Sequence, residues 1–295
     1  MESPVVDERT PLEHANFRFV SDLASALNAR EPIDIPSFPS VAMRIRNVLD
    51  DENCSPNTLT RVVGSEPALA ARLLKMANSA AVNTTGREIV DLKTAINRLG
   101  HDQVRTAAMS FAMQSQMDGR QIEELKPHLS RLWNRSVKLA ALSYSLAGRA
   151  EKVRADEAMF VGLVHDIGKL YVLTRVEAYP EIYASDEAVE HIMEEWHTAI
   201  GVSVLENWKI PESVRLAIDT RNHDSDVHTE QATLKDVVVA ATVLANRAEQ
   251  KNETCELDVG ELESCARLGI TNDTLPVIMQ ESQNEIAALE NALKG

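Results

Sequence analysis

The residues best suited to chemistry in this sequence are the adjacent His165 and Asp166, which open the string His165-Asp166-Ile167-Gly168-Lys169. An imidazole nitrogen and a carboxylate side by side can bind one divalent cation, and a carboxylate can also bridge two metals. Gly168 lets the backbone turn directly after the pair, so we expect both side chains at the rim of a cleft. Alternatively, His165 is a buried side chain hydrogen-bonded to a helix-terminal Asp166. The pair therefore indicates a metal site without establishing one.

Helices must position this pair, because apolar residues recur at three-to-four spacing almost throughout the chain. Asp91 is predicted to cap a helix that Gly100 ends, and Asn78 suits the end of the preceding helix, where it can adopt left-handed geometry. The pattern predicts an all-α fold. Its longer helices are expected near residues 12–29, 122–150 (with a possible break at Pro127), 155–164, 187–207, 212–221, 234–250, 258–268 and 274–293.

Charge and composition limit the classes of function. The 295 residues carry a formal net charge of −15, and only 4% are aromatic. A negative field repels phosphate backbones and few rings are available for base stacking, so we expect no nucleic-acid partner. The acidic start of the chain and the lack of a continuous apolar span predict neither a secretory signal nor a membrane anchor. Three cysteines without metal-ligand spacing indicate reduced thiols, so we expect a cytoplasmic protein.

The string VGLVHDIGKL around the pair resembles the HD superfamily of metal-dependent phosphohydrolases. Five further segments resemble the HDOD family, an HD-related output domain of bacterial signalling proteins: FPSVAMRIRNVL, SEPALAARLLKMANSA, IVDLKTAINRLG, LWNRSVKLA and HTAIGVSVLENWKIPESVRLAI. The likeness runs from Ile33 to Asp224. It implies an HD-domain or phosphodiesterase-like helical bundle with an N-terminal helical subdomain. We divide the chain into an extension (1–32), an HDOD domain (33–230) whose two halves meet near residue 120, and a C-terminal helical extension (231–295).

The resemblance also implies that most of the metal site is missing. HD hydrolases use a His well upstream of the His-Asp pair and an Asp well downstream of it. These positions fall on Arg135 and Thr242 here, so His165 and Asp166 are a vestigial site and we expect no metal or other cofactor. Arg cannot lose its proton to ligate a metal. We therefore predict a forked ion pair between Arg135 and Asp166; alternatively, Arg135 lies exposed on its helix. His128 fits the upstream position less well.

Other residues are candidates for a polar pocket beside the pair. Lys169 corresponds to a lysine that can act near phosphate in active HD enzymes, although it can also face solvent. His197 and His223 match positions where related phosphodiesterases carry histidines, and Asn222 replaces the first of a paired set. Our hypothesis is that Arg135, Lys169, His197 and His223 share one cleft with the His-Asp pair.

The resemblance implies a non-catalytic regulatory module of a bacterial signalling system. HDOD domains are often fused to receiver or cyclic-dinucleotide enzyme domains, for which this chain has no room. We therefore expect it to act in trans on a signalling protein that the sequence does not identify, with a nucleotide second messenger as a further candidate ligand. An apolar stripe on the last helix (Ile286, Leu289 and Leu293) would suit a dimer. The alternative function is a metal-dependent phosphohydrolase or phosphodiesterase that uses His165 and Asp166 with unusual ligands.

Overall fold

The structure, a computed structural model, is built from helices. It describes residues 10–28, 40–49, 56–79, 82–83, 86–118, 123–219, 231–249, 259 and 262–294. Every regular element in these ranges is helical, so the all-α prediction is confirmed. No helix among the described residues combines the length and apolar character that a membrane crossing needs.

The N-terminal half consists of α1 (Pro11–Asn28), α2 (Ser40–Leu49), α3 (Pro56–Gly64), α4 (Pro67–Ala77) and α5 (Leu92–Asp118). Asp91 starts α5 as predicted, because its Oδ1 accepts a hydrogen bond of 2.8 Å from the backbone N–H of Thr94. Gly100, with φ of 76°, kinks α5 and so ends its first segment. Both boundaries follow from local signals in the sequence.

Asn78 ends α4 in a different way from the one expected. Its φ of −92° is right-handed, so the prediction of left-handed geometry is wrong. Instead, its side-chain amide clamps a neighbouring extended segment: Nδ2 donates to the carbonyl oxygen of Ile89, and Oδ1 accepts from the N–H of Ile89, each at 2.8 Å. Asn78 therefore fixes the chain entering α5 against the end of α4.

The second half contains α6 (Lys126–Ala147), α7 (Ala155–Val164), α8 (Ile167–Val176), the short α9 (Pro180–Tyr183), α10 (Asp186–Asn207) and α11 (Glu212–Ala217). A 3₁₀ turn (Glu123–Leu125) precedes α6, and Pro127 lies in the first turn of α6 rather than at a break. Helix α6 packs against α7, and α8 packs against α10. A Cβ at Gly162 would lie 2.5 Å from the carbonyl oxygen of Leu139, so α6 and α7 approach closely there.

The C-terminal helices are α12 (Leu234–Glu249), α13 (Glu263–Arg267) and α14 (Leu275–Lys294). Helix α12 lies against α6 and α7, while α14 contacts α6, α4 and α5. A stripe that suits a dimer has to be exposed, but Leu289 is buried and Ile286 packs against the core, so that expectation is wrong for these two residues. The side chain of Leu293 lies outside the described residues.

Candidate functional site

His165 and Asp166 lie inside the protein, between the end of α7 and the start of α8. After its first turn, helix α7 is apolar on all sides, and all of its residues from Ala158 to Val164 are buried. The two residues that follow are buried with it, His165 being 4% and Asp166 1% exposed. The expectation that they line the rim of a cleft is therefore wrong. The two residues directly follow the C-terminal end of α7, which lies in the core.

Gly168 also differs from its expected role. It lies within α8 and does not form a turn. A Cβ at this position would lie 1.8 Å from the carbonyl oxygen of His197 and 2.8 Å from the backbone nitrogen of Gly201. Gly168 therefore lets the backbones of α8 and α10 meet, which places His197 next to the His-Asp pair.

The carboxylate of Asp166 lies between two cationic side chains. Nε of Arg135 donates to Oδ2 at 3.0 Å, and Nζ of Lys169 lies 3.4 Å from Oδ1. Asp166 occupies the N-cap position of α8 but makes no side-chain capping bond, so both oxygens are turned to these cations. The predicted ion pair of Arg135 is present through Nε, while its forked geometry stays a prediction. Lys169 belongs to the same cluster, and its side chain is only 17% exposed rather than facing solvent.

The environment sets the protonation of the pair. Burial lowers the pKa of the His165 imidazole to about 4, with smaller contributions from His197, Arg135 and Lys169, so the ring is neutral at pH 7. Burial alone would raise the pKa of the Asp166 carboxyl, but its charged neighbours hold it well below its usual value. Because His165 is neutral at pH 7, Lys169 and Arg135 are the neighbours that keep this carboxylate ionised.

His197 contributes a second imidazole to the cluster. Its Nδ1 lies 3.1 Å from the carbonyl oxygen of Glu194, which can only accept, so Nδ1 carries the proton. Its Nε2 then accepts from the hydroxyl of Thr198 at 3.2 Å. Burial and the charge of Lys169 lower the pKa of His197. His223 lies outside the described residues, so its place in this pocket stays a prediction.

HD hydrolases carry further metal ligands at the two positions that are Arg135 and Thr242 here, and neither residue can serve as one of those ligands. Thr242 lies on α12 and its hydroxyl donates to the carbonyl oxygen of Val238 at 2.9 Å. The neighbouring carboxylate, Asp236, accepts hydrogen bonds from Thr233, Ser264 and Arg267 at the start of α12. His128, the alternative upstream residue, has its ring nitrogens at 2.9 Å from Asp186 and 2.8 Å from Arg131.

A divalent metal of the HD type does not fit this set of donors. Arg135 and Lys169 place fixed positive charges at both oxygens of Asp166. Among the described residues, Nδ1 of His165 is buried without a hydrogen-bond partner, but Nε2 of His197 already accepts from Thr198, so the cluster offers fewer free ligands than the three usual at catalytic sites. Across the described part of the chain, no group of three or more His, Cys, Asp or Glu side chains could hold a metal ion.

A cleft of about 590 Å³ lies beside the pair, between α6, α8, α10 and α14. Arg135 and Lys169 reach it, as expected for pocket residues, and Arg131 and Lys138 line it as well. Sequence analysis did not identify Arg131 and Lys138. The available signal was spacing: residues 131, 135 and 138 lie on one face of a helix, and all three are basic. We call this space the basic cleft.

Comparison with protein families agrees with this architecture. The model of the HDOD domain matches residues 35–224, nearly two thirds of the chain and almost the same range as the resemblance found in the sequence. The chain belongs to the HDOD family. No curated protein matches it.

Several solved structures share the fold. The chain superimposes with a TM-score of 0.78 and 22% identity on a Shewanella amazonensis protein called "Putative metal-dependent phosphohydrolase", covering 95% of this chain and 99% of that one. An HDOD domain protein with unknown function from Geobacter sulfurreducens gives 0.62 and 18%, covering 95% and 97%. A "Putative signal transduction protein" from Marinobacter aquaeolei gives 0.57 and 21%, covering 95% of this chain and 66% of that one. At these identities the likeness shows the fold.

Proposed function

We propose that this protein is a non-catalytic HDOD regulatory module, which changes a signalling partner through binding rather than through hydrolysis. The observation that carries the proposal is the cluster in which Arg135 and Lys169 contact the two oxygens of the buried Asp166. In this cluster the guanidinium and the ammonium supply the positive charge that a divalent ion would supply in an HD hydrolase.

The chemistry of the cluster supports this assignment. A catalytic cation must offer an open coordination position to polarise a phosphoryl oxygen or activate a water molecule. A guanidinium does neither, because it keeps its protons at ordinary pH and holds the carboxylate by a directed hydrogen bond. The same ion pair stabilises the fold around the former metal position, so the site can remain intact without turnover.

The module would act in the cytoplasm, on a partner protein in trans or in response to a small ligand. A ligand changes the equilibrium between two conformations of such a protein only if it binds one of them more tightly than the other. Helix α14 contacts α4 and α5 as well as α6, and so connects the HD-like half to the N-terminal half. A ligand that moves α14 relative to α6 would alter the surfaces of both halves.

The test compares metal content and hydrolysis in the wild-type protein and in Arg135→His. After dialysis against manganese, we expect less than 0.1 Mn per chain (about tenfold below one site) and no cleavage of bis-p-nitrophenyl phosphate or cyclic dinucleotides. Arg135→His removes the fixed charge and adds an imidazole, so its manganese content should rise. One bound metal in the wild type, with turnover that Asp166→Ala abolishes, would refute the proposal.

The alternative is a metal-dependent phosphohydrolase, and one observation favours it. Nδ1 of His165 is buried without a hydrogen-bond partner in the described part of the chain; such an unpaired group costs about 1–3 kcal/mol, and its lone pair is one that a metal could use. An enzyme of this kind would have to displace Arg135 from Asp166 on binding metal. Manganese should then raise the activity of Arg135→Ala above that of the wild type, whereas both should stay inactive if the protein is only a binding module.

A further inference from the structure

The basic cleft concentrates positive charge in a strongly acidic protein. The chain carries a net charge of −15, yet four cationic side chains line this one space. Arg131, Arg135 and Lys138 follow one face of α6, and Lys169 comes from α8. Two apolar side chains, Leu132 and Met193, complete part of the wall. A charged floor beside an apolar wall is typical of small-molecule sites, which enclose about 300–1,000 Å³.

The cations of the cleft are unequally neutralised. Arg135 and Lys169 both contact Asp166, which lies beneath the cleft. Arg131 pairs with Glu190 at 3.1 Å, but the two side chains are 61% and 54% exposed, and such surface pairs contribute little. Lys138 makes no ion pair or hydrogen bond with the described residues. Lys138 is therefore available to an incoming anion, whereas Arg131, which also lies 2.8 Å from Nδ1 of His128, would exchange its exposed partner Glu190 for the anion.

The depth of the cleft strengthens their effect. The side chains of Arg135 and Lys169 are each 17% exposed, and Lys138 is half-buried. Charges in such partly enclosed positions are screened less by salt than those on an open surface. Guanidinium and ammonium groups together match the oxygens of a phosphate group.

We infer that the basic cleft binds a small molecule that carries a diphosphate group. This inference rests on the proposed function, because the ligand would be bound and released without being cleaved. Its phosphate oxygens would contact Lys138 and Arg131, while an organic portion would lie against Leu132 and Met193. A nucleic acid is a poorer candidate, since the net charge of −15 repels a long polyanion.

Calorimetric titration of the full chain with pyrophosphate, in 150 mM KCl, tests the inference. We expect one site per chain, weakened at least tenfold by Lys138→Glu because the variant reverses a charge facing the ligand. The matched control is Lys152→Glu, which makes the same charge change at an exposed lysine that makes no ion pair or hydrogen bond with the described residues and lies beyond the end of α6. Its affinity should stay within twofold of the wild type.

A second variant tests whether removing a negative charge from the cleft raises the affinity for pyrophosphate. Glu290 on α14 also lines the basic cleft, so Glu290→Gln should raise the affinity for pyrophosphate about threefold or more by removing a like charge. Circular dichroism would confirm that each variant is folded. Equal weakening by Lys138→Glu and Lys152→Glu, or no binding by the folded wild type, would overturn the inference.

Two further experiments ask whether the ligand has an organic portion and distinguish this inference from the proposed function. Adenosine diphosphate that binds more tightly than pyrophosphate would support a ligand with an organic portion, whereas binding of pyrophosphate alone would refute that portion. Release of inorganic phosphate in the presence of manganese would refute the proposed function even if binding persists. Absence of both binding and hydrolysis would refute only the diphosphate site and leave the non-catalytic assignment in place.

Discussion

Replacing Gly168 with alanine tests whether the contact between α8 and α10 holds the His-Asp pair in the core. The new Cβ would lie 1.8 Å from the carbonyl oxygen of His197, whereas ordinary contacts begin at 3.4 Å, so the two helices must separate by about 1.6 Å. Overpacking typically costs about 1–3 kcal/mol. Since the obstacle here is backbone and not a flexible side chain, we expect the free energy of unfolding to fall by at least about 3 kcal/mol.

Urea unfolding followed by circular dichroism measures this loss, and Gly148→Ala is its control. A Cβ at Gly148 would meet only the carbonyl oxygen of Ser145, at 3.6 Å, so that variant should change the unfolding free energy by less than about 0.5 kcal/mol. With slopes of about 1–3 kcal/mol per molar urea, the midpoint of Gly168→Ala should drop by about 1 M or more. Equal midpoints for the two variants would refute the close-approach argument.

Three other predictions concern stability. Arg135→Ala should lower the free energy of unfolding by about 3 kcal/mol, because it leaves the buried Asp166 with fewer cations. Asp166→Asn should lower it less, because the remaining cations can still reach water. Equal losses of the two variants in urea unfolding would contradict this reasoning. The lowered pKa of His165, about 4, means that the unfolded chain takes up a proton first, so the part of the stability that depends on His165 should fall by about 3 kcal/mol between about pH 6.5 and pH 4; below that, the lowered pKa of the Asp166 carboxyl continues the fall. His165→Asn should remove most of that slope and leave a part due to His197, whose pKa is also lowered; an unchanged pH profile would be evidence against a neutral buried His165. Asn78→Ala leaves two backbone groups without their partners and should cost about 2 kcal/mol, seen as a fall of several degrees in Tm; a shift of less than about 1 °C would contradict the clamp.

Local signals predict much of this structure. Asp91 and Gly100 bound the first segment of α5 because capping and positive φ depend on single residue types. The ion pair of Arg135 with Asp166 was predicted from the family resemblance instead, because Arg135 stands where HD hydrolases have a metal-ligating His. For Asp91 and Gly100 the residue type by itself limits the local geometry.

The burial of the His-Asp pair could not be predicted from local signals. His165 and Asp166 were expected at a rim, because Gly168 resembles a turn residue when only its neighbours in the chain are considered. Its function is set by α10, about thirty residues further along, whose backbone occupies the space of a side chain at position 168. Likewise, the basic face of α6 is visible in the spacing, but the cleft it lines also needs Glu290, some 150 residues away.

If Arg135 takes the place of a metal, as we propose, this has a consequence for how such a module can be controlled. A metal site responds to the supply of the ion, because the ligands release it by mass action. Arg135 is a residue of α6 and stays charged at any physiological pH, so the positive charge of the basic cleft does not depend on a cofactor. The variable that remains is the anion which that charge attracts. A protein built in this way would report the concentration of its ligand alone, and the calorimetric midpoint of the wild type should therefore be unaffected by a metal chelator.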